Sequence, residues 1–169
     1  MFQAWRFKLK EAQAAFDQGK LEEAAGILAA GDLPTYLPAQ QLRSQVAARL
    51  AERGVARGRA GDLLAAWRDL DAARAEGGES SGWLTAQQAI VELAVAEVVQ
   101  QLQAGNLNGA TERIDALEKR KAFGSVLQTL REVTRRLESA RKLGQRGKFA
   151  EAEEQLNAAA SLRPDLRVS

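Results

Sequence analysis

The chain has 169 residues, 24 Lys or Arg against 22 Asp or Glu, and neither histidine nor cysteine. Disulfides, thiol chemistry and zinc or haem sites of the usual kind are thereby excluded, and a net charge of +2 argues against a surface built for nucleic acid. Alanine, leucine, arginine, glutamine and glutamate dominate and there are only three prolines, which points to an all-helical chain long enough to bury a sizeable core.

No apolar run reaches the roughly 18 residues of a membrane span. The opening Met1-Phe2-Gln3-Ala4-Trp5 has neither the basic nor the apolar region of a secretory signal. With no cysteine, the composition fits a reducing compartment, and a cytoplasmic location is expected.

A helix is expected over 3–18, with Trp5, Leu9, Ala12 and Phe16 on its inner face. It stops at the first of four matching punctuation marks, a glycine, a large apolar residue and an alanine: Gly19-x-Leu21-x-x-Ala24, Gly61-x-Leu63-x-x-Ala66, Gly105-x-Leu107-x-x-Ala110 and Gly147-x-Phe149-x-x-Ala152. The glycines recur at intervals of 42, 44 and 42 residues, the mark of a repeat array. Glycine takes the left-handed conformation that ends a helix. Asp62 and Asn106 then suit the N-cap of the next helix, whereas Lys20 and Lys148 do not. Leu28, Leu70, Ile114 and Leu156 follow nine residues after each glycine and extend the apolar face.

In chain order, a second helix is expected over 20–30, stopped by Gly31-Asp32, before the Pro34 and Pro38 loop in which Tyr36 covers the edge of the core. A third runs from Pro38 or Ala39 to Arg57 with Leu42, Val46 and Leu50 inside. Gly54 and Gly58 mark either close packing against a neighbouring backbone or an early end. The Arg-Gly content of Arg53 to Arg59 is too short and too helical for an RNA-binding tract. A fourth helix over 62–76 carries Ala66, Trp67 and Leu70. Gly77-Gly78-Glu79-Ser80-Ser81-Gly82 is a linker whose serines can cap the next helix, and it lacks the Gly-Lys-Ser/Thr of a phosphate loop.

Helices over 83–104 and 106–121 form the third pair, the former apolar around more than half its circumference. Glu92 and Glu97, five apart, share no face. The fourth pair spans 124–146 and 148–161. The first of these has Leu127, Leu130, Thr134 and Leu137 inside, and Arg141 extends that stripe. From Lys119 to Lys148 there are ten Lys or Arg and two acids. The expected fold is therefore an α-solenoid of about eight helices in four antiparallel hairpins, spanning 3–31, 38–77, 82–121 and 124–162 of one domain. Helix 148–161 lacks the polar outer face of a terminal cap, so a longer protein or a neighbouring chain is expected to cover that end.

The second helix of each hairpin resembles that of the tetratricopeptide repeat (TPR), in which a glycine, an aromatic or leucine, an alanine and a large apolar residue fall at these offsets. Gly147-Lys148-Phe149-Ala150-Glu151-Ala152, with Leu156, Ala159 and Pro164, is the copy most similar. The period is longer than the family's 34 or so residues, and the first helices lack its Trp-Leu-Gly-Tyr pattern, so no groove residue is carried over. Ala4-Trp5-Arg6, Gly61-Asp62 and Ala65-Ala66-Trp67-Arg68-Asp69-Leu70 also resemble helical regions that precede forkhead-associated (FHA) domains in bacterial proteins. That similarity implies a scaffold role.

The expected function is a non-enzymatic protein–protein interaction scaffold that holds a peptide or partner helix on its repeat surface. Arg131, Arg135 and Lys142 share a face of the seventh helix and Arg136 lies beside it. These four are the expected partner-binding residues, with Arg131 and Arg135 able to clamp an acidic or phosphorylated segment. The alternatives are a structural spacer that self-associates through its uncapped C-terminal end, and nucleic-acid binding by the basic strip 119–148, which lacks interleaved aromatics. No catalytic residue, cofactor or metal site is assigned.

Overall fold

The computed structural model describes residues 4–30, 33–122 and 124–164. Among them the chain forms eight α-helices, one 3-10 turn (Leu33–Thr35) and no strand. The helices are α1 (Ala4–Asp17), α2 (Leu21–Leu28), α3 (Leu37–Arg59), α4 (Leu63–Gly77), α5 (Ser81–Gln103), α6 (Leu107–Lys119), α7 (Ser125–Gln145) and α8 (Phe149–Leu162). Every expected helix is present, with ends within two residues of those read from the sequence. Gln3 and the expected stop at Gly31-Asp32 lie outside the described residues.

The repeated punctuation has one structure. Gly19, Gly61, Gly105 and Gly147 have φ of 75°, 90°, 71° and 72°. In each copy the next residue's N–H donates to a carbonyl five residues back: Lys20 to Ala15, Asp62 to Arg57, Asn106 to Gln101 and Lys148 to Leu143. This is the Schellman closure, which satisfies carbonyls that a helix end leaves orphaned. Asp62 Oδ1 accepts from Ala65 N and Asn106 Oδ1 from Gly109 N, each at 3.0 Å. Lys20 and Lys148 make no such bond, as their chemistry dictates. Ser80 caps α5, its Oγ accepting from Trp83 N at 3.2 Å.

Two compact units result, residues 1–90 and 91–169, with the boundary inside α5. In the first, α1 packs on α2, α2 on α3 and α3 on α4. Ala12, Ala24, Leu28, Leu33, Val46, Leu50, Leu70 and Ile90 form its core. Trp5 and Phe16 pack on it half-buried, and Tyr36 covers its edge by stacking on Trp5, ring centroids 4.8 Å apart. Trp83 is buried and donates its Nε1–H to the Leu70 carbonyl at 2.9 Å, tying the start of α5 to α4. Of the two readings of Gly54, close packing is correct. A Cβ there would lie 3.0 Å from the Ala66 carbonyl oxygen and 3.2 Å from Asp69 Cβ, and α3 continues past it to Arg59.

In the second unit α6 packs on α7 and α7 on α8. Val98, Leu102, Ile114, Leu130 and Val133 are fully buried. Thr134 is buried too, its hydroxyl satisfied by the Leu130 carbonyl at 2.8 Å. Arg141 does not continue the inner stripe. It is exposed, and Ala140, three rather than four residues after Leu137, takes the buried place.

Candidate functional site

Part of the basic strip is neutralised, Arg131 by acids of α6 that precede the strip and Arg135 and Arg136 by Glu132 within it. The turn after α6 returns the chain so that Arg131 reaches back to Asp115 (Nη2–Oδ1 2.6 Å) and Glu118 (Nη2–Oε2 2.6 Å). Burial pushes the Arg131 guanidinium down, but the bonds to Glu118 and Asp115 outweigh it and hold it above its ordinary value. Arg135 pairs with Glu132 at 2.8 and 2.9 Å, and Arg136 Nε lies 2.8 Å from the same carboxylate. The Arg135 guanidinium holds Glu132 below the usual carboxylate range. Arg136 also donates to Gln155 of α8 at 3.3 Å. Of the four residues expected to bind a partner, only Lys142 has no partner among the described residues. It lines a depression of about 250 Å³ with Asn108, Glu138, Arg141 and Gln145.

The first unit holds an ionic cluster that the sequence reading missed. Asp69 is 3 % exposed. It accepts from Arg53 Nε (2.9 Å), Arg53 Nη2 (2.7 Å) and Arg57 Nη1 (3.0 Å). Arg53 also grips Glu22, so one guanidinium of α3 joins α2 to α4. Hydrogen bonds to Asp69 first, then to Glu22, raise the Arg53 guanidinium above its ordinary value, and Arg53 in turn lowers Glu22. The signal was present: Ala66, Asp69 and Ala73 run at steps of three and four along the buried side of α4. With its charge neutralised, the cluster serves to position α2, α3 and α4.

Beside it lie two open cavities on the odd-numbered helices. One, about 600 Å³, is lined by Phe16 and Asp17 of α1, Gly19, Leu21, and Arg49, Glu52, Arg53 and Ala56 of α3. The other, about 420 Å³, lies between α3 and α5 and is lined by Ala48, Ala51, Glu52, Val55, Arg59, Gly82, Thr85, Ala86 and Ala89. Glu52 lines both. The small side chains leave the second cavity mainly apolar, and a guest's backbone can approach closely. Arg49, Glu52 and Arg59 have no partner among the described residues, so the rim offers two free guanidiniums and one free carboxylate.

Among the described residues no group of three or more Asp, Glu, His or Cys is placed to hold a metal ion, and no helix is long and apolar enough to cross a membrane. No protein-family model, curated protein or solved structure matches the chain.

Proposed function

We propose that the chain is a non-enzymatic, TPR-like α-solenoid of four hairpins, α1/α2, α3/α4, α5/α6 and α7/α8, that holds a peptide or partner helix on its first helices. The observation that carries this reading is the pair of cavities along α1, α3 and α5. The cavity between α3 and α5 has a mainly apolar, small-residue lining, and the one between α1 and α3 sets Phe16 and Leu21 among Asp17, Arg49, Glu52 and Arg53; they share a wall at Glu52 and carry unpaired Arg49 and Arg59 on the rim. A segment with apolar residues and at least one carboxylate suits that surface, the arginines giving bidentate contacts. On the second unit, taken by itself, the α7 cations open to a partner are Lys142 and exposed Arg141, because the guanidiniums of Arg131, Arg135 and Arg136 are engaged within the chain.

The test is a capture from native lysate with and without nuclease, comparing the unaltered chain with Ala48→Trp. Ala48 is exposed and lines the cavity, so tryptophan fills the space without entering the core. A protein partner that survives nuclease and is lost with Ala48→Trp supports the reading. Recovery of nucleic acid alone, lost with Arg141→Glu and Lys142→Glu, replaces it with binding by the basic strip.

A further inference from the structure

Phe149, Glu153, Leu156 and Ala160 follow one another at steps of four, three and four, so they share one side of α8. All four are exposed, Phe149 by 73 % and Leu156 by 48 %. The first three of these positions are, in the earlier copies, Leu21, Ala25 and Leu28; Leu63, Trp67 and Leu70; and Leu107, Thr111 and Ile114, every one buried or half-buried. Three internal comparisons thus show that this side of the second helix is made to be covered.

They also show the chemistry of the cover. In each unit a first helix lies on the preceding second helix, α3 on α2 and α7 on α6. Carboxylates of the second helix grip an arginine of the first: Glu22 holds Arg53, and Asp115 and Glu118 hold Arg131. On α8 the apolar positions are flanked by Glu151, Glu153 and Glu154, and the helix carries no base. Glu153 and Glu154 have no partner among the described residues.

The matching chemistry sits on α1. Phe7 is 73 % exposed, and exposed Arg6, Lys8 and Lys10 lie around it with a single acid, Glu11, one turn further on. Lys8 and Lys10 have no partner among the described residues. We propose that α8 of one copy docks on α1 of a second copy, head to tail, with Phe149 and Leu156 against Phe7 and with Glu153 and Glu154 facing Lys8 and Lys10. The contact is heterologous, so each added copy presents a fresh α8 and growth continues beyond the dimer. Each helix offers about 21 Å of length. One helix face on another lies below the roughly 1,200 Å² of a standard interface, so association is weak and concentration-dependent.

Sedimentation equilibrium of the whole chain, from about 1 to about 300 µM, tests this. The mean mass should rise above the 18.3 kDa monomer and pass that of a dimer. Phe7→Glu sets a carboxylate against the acids of α8, and Phe149→Lys sets an ammonium against the bases of α1. Each alone should weaken association at least about tenfold. An equimolar mixture should regain a dimer and stop there, because each variant keeps the end the other lacks. Both sites are exposed, and far-UV circular dichroism checks that both variants fold. The charge-reversed pairs Lys8→Glu with Lys10→Glu, and Glu153→Lys with Glu154→Lys, give a second route to the same complementation. A monomer throughout the range overturns the proposal. So does association lost with Phe149→Lys but kept with Phe7→Glu, which would mean that α8 pairs with α8 or with another apolar surface.

Discussion

Asp69→Asn keeps the shape of a side chain that is 3 % exposed and removes its charge. The carboxylate accepts three bonds from two guanidiniums, at 2.9, 2.7 and 3.0 Å. An amide offers one acceptor oxygen, so its NH2 must face a guanidinium donor. Removing one partner from a buried ion pair costs about 3–5 kcal/mol. Here that figure is too large, because the Arg53 and Arg57 side chains are 27 % and 42 % exposed and can turn toward water, and Arg53 keeps Glu22. The expected loss is about 2–3 kcal/mol, or about 8–24 °C in the melting temperature of the first unit. All three tryptophans, Trp5, Trp67 and Trp83, belong to the first unit. Tryptophan fluorescence therefore follows that unit alone, while far-UV circular dichroism follows both. Urea titrations read by both probes should show the fluorescence transition moving to lower urea. Glu132→Gln, on the surface of α7, should leave both transitions where they are, because exposed ion pairs contribute little. A loss below about 0.5 kcal/mol for Asp69→Asn would refute the reasoning and rank the cluster with surface ion pairs.

Two glycines should respond in opposite directions. Gly26→Ala, with open space around the new Cβ, should stabilise by about 0.5–1 kcal/mol in thermal melts. Gly54→Ala gains the same propensity but drives its Cβ against the Ala66 carbonyl, so it should destabilise by about 0.5–2 kcal/mol. Trp83→Phe removes the indole N–H bond to the Leu70 carbonyl, which keeps its helical donor, and shrinks a buried side chain, so it should cost about 1–2 kcal/mol by urea titration. Acid should weaken the first unit through Glu22. Its folded pKa lies below its ordinary 4.5, so its contribution is present above that value and is lost as pH falls through the lowered one. The side chain is 70 % exposed, so the effect is about a few tenths of a kcal/mol. A pH series on Glu22→Gln should be flatter by that amount.

Helix positions were legible because their ends are coded locally. A glycine with positive φ closes each first helix through bonds that span only five residues, and Asp62 or Asn106 opens the next from one side chain. The same locality explains what stayed hidden. Asp69 reads as a solvated surface charge until α3 and α4 are laid side by side, since its partners stand 12 and 16 residues earlier. The α7 strip looked unbalanced because Asp115 and Glu118 precede Lys119, where the count of charges began, yet the α6–α7 turn brings both to Arg131. Arg141 was misread because the inner stripe advances from Leu137 by three residues, to Ala140, rather than by four. The cavity between α3 and α5 gave no sequence signal, because alanines that line a cavity and alanines that fill a core are the same residue at the same spacing.

The most direct test of a guest on the first helices is site-specific photo-crosslinking in native lysate, with a benzophenone amino acid placed at Ala48 on α3 or at Arg68 on α4. Both positions are exposed, and position 48 lines the cavity between α3 and α5 whereas position 68 does not. A protein or peptide guest should crosslink from position 48 and not from 68, and the crosslink should disappear when Arg49 and Arg59 are changed to glutamate. Equal capture from both positions, or capture from 68 alone, would contradict binding on the first helices.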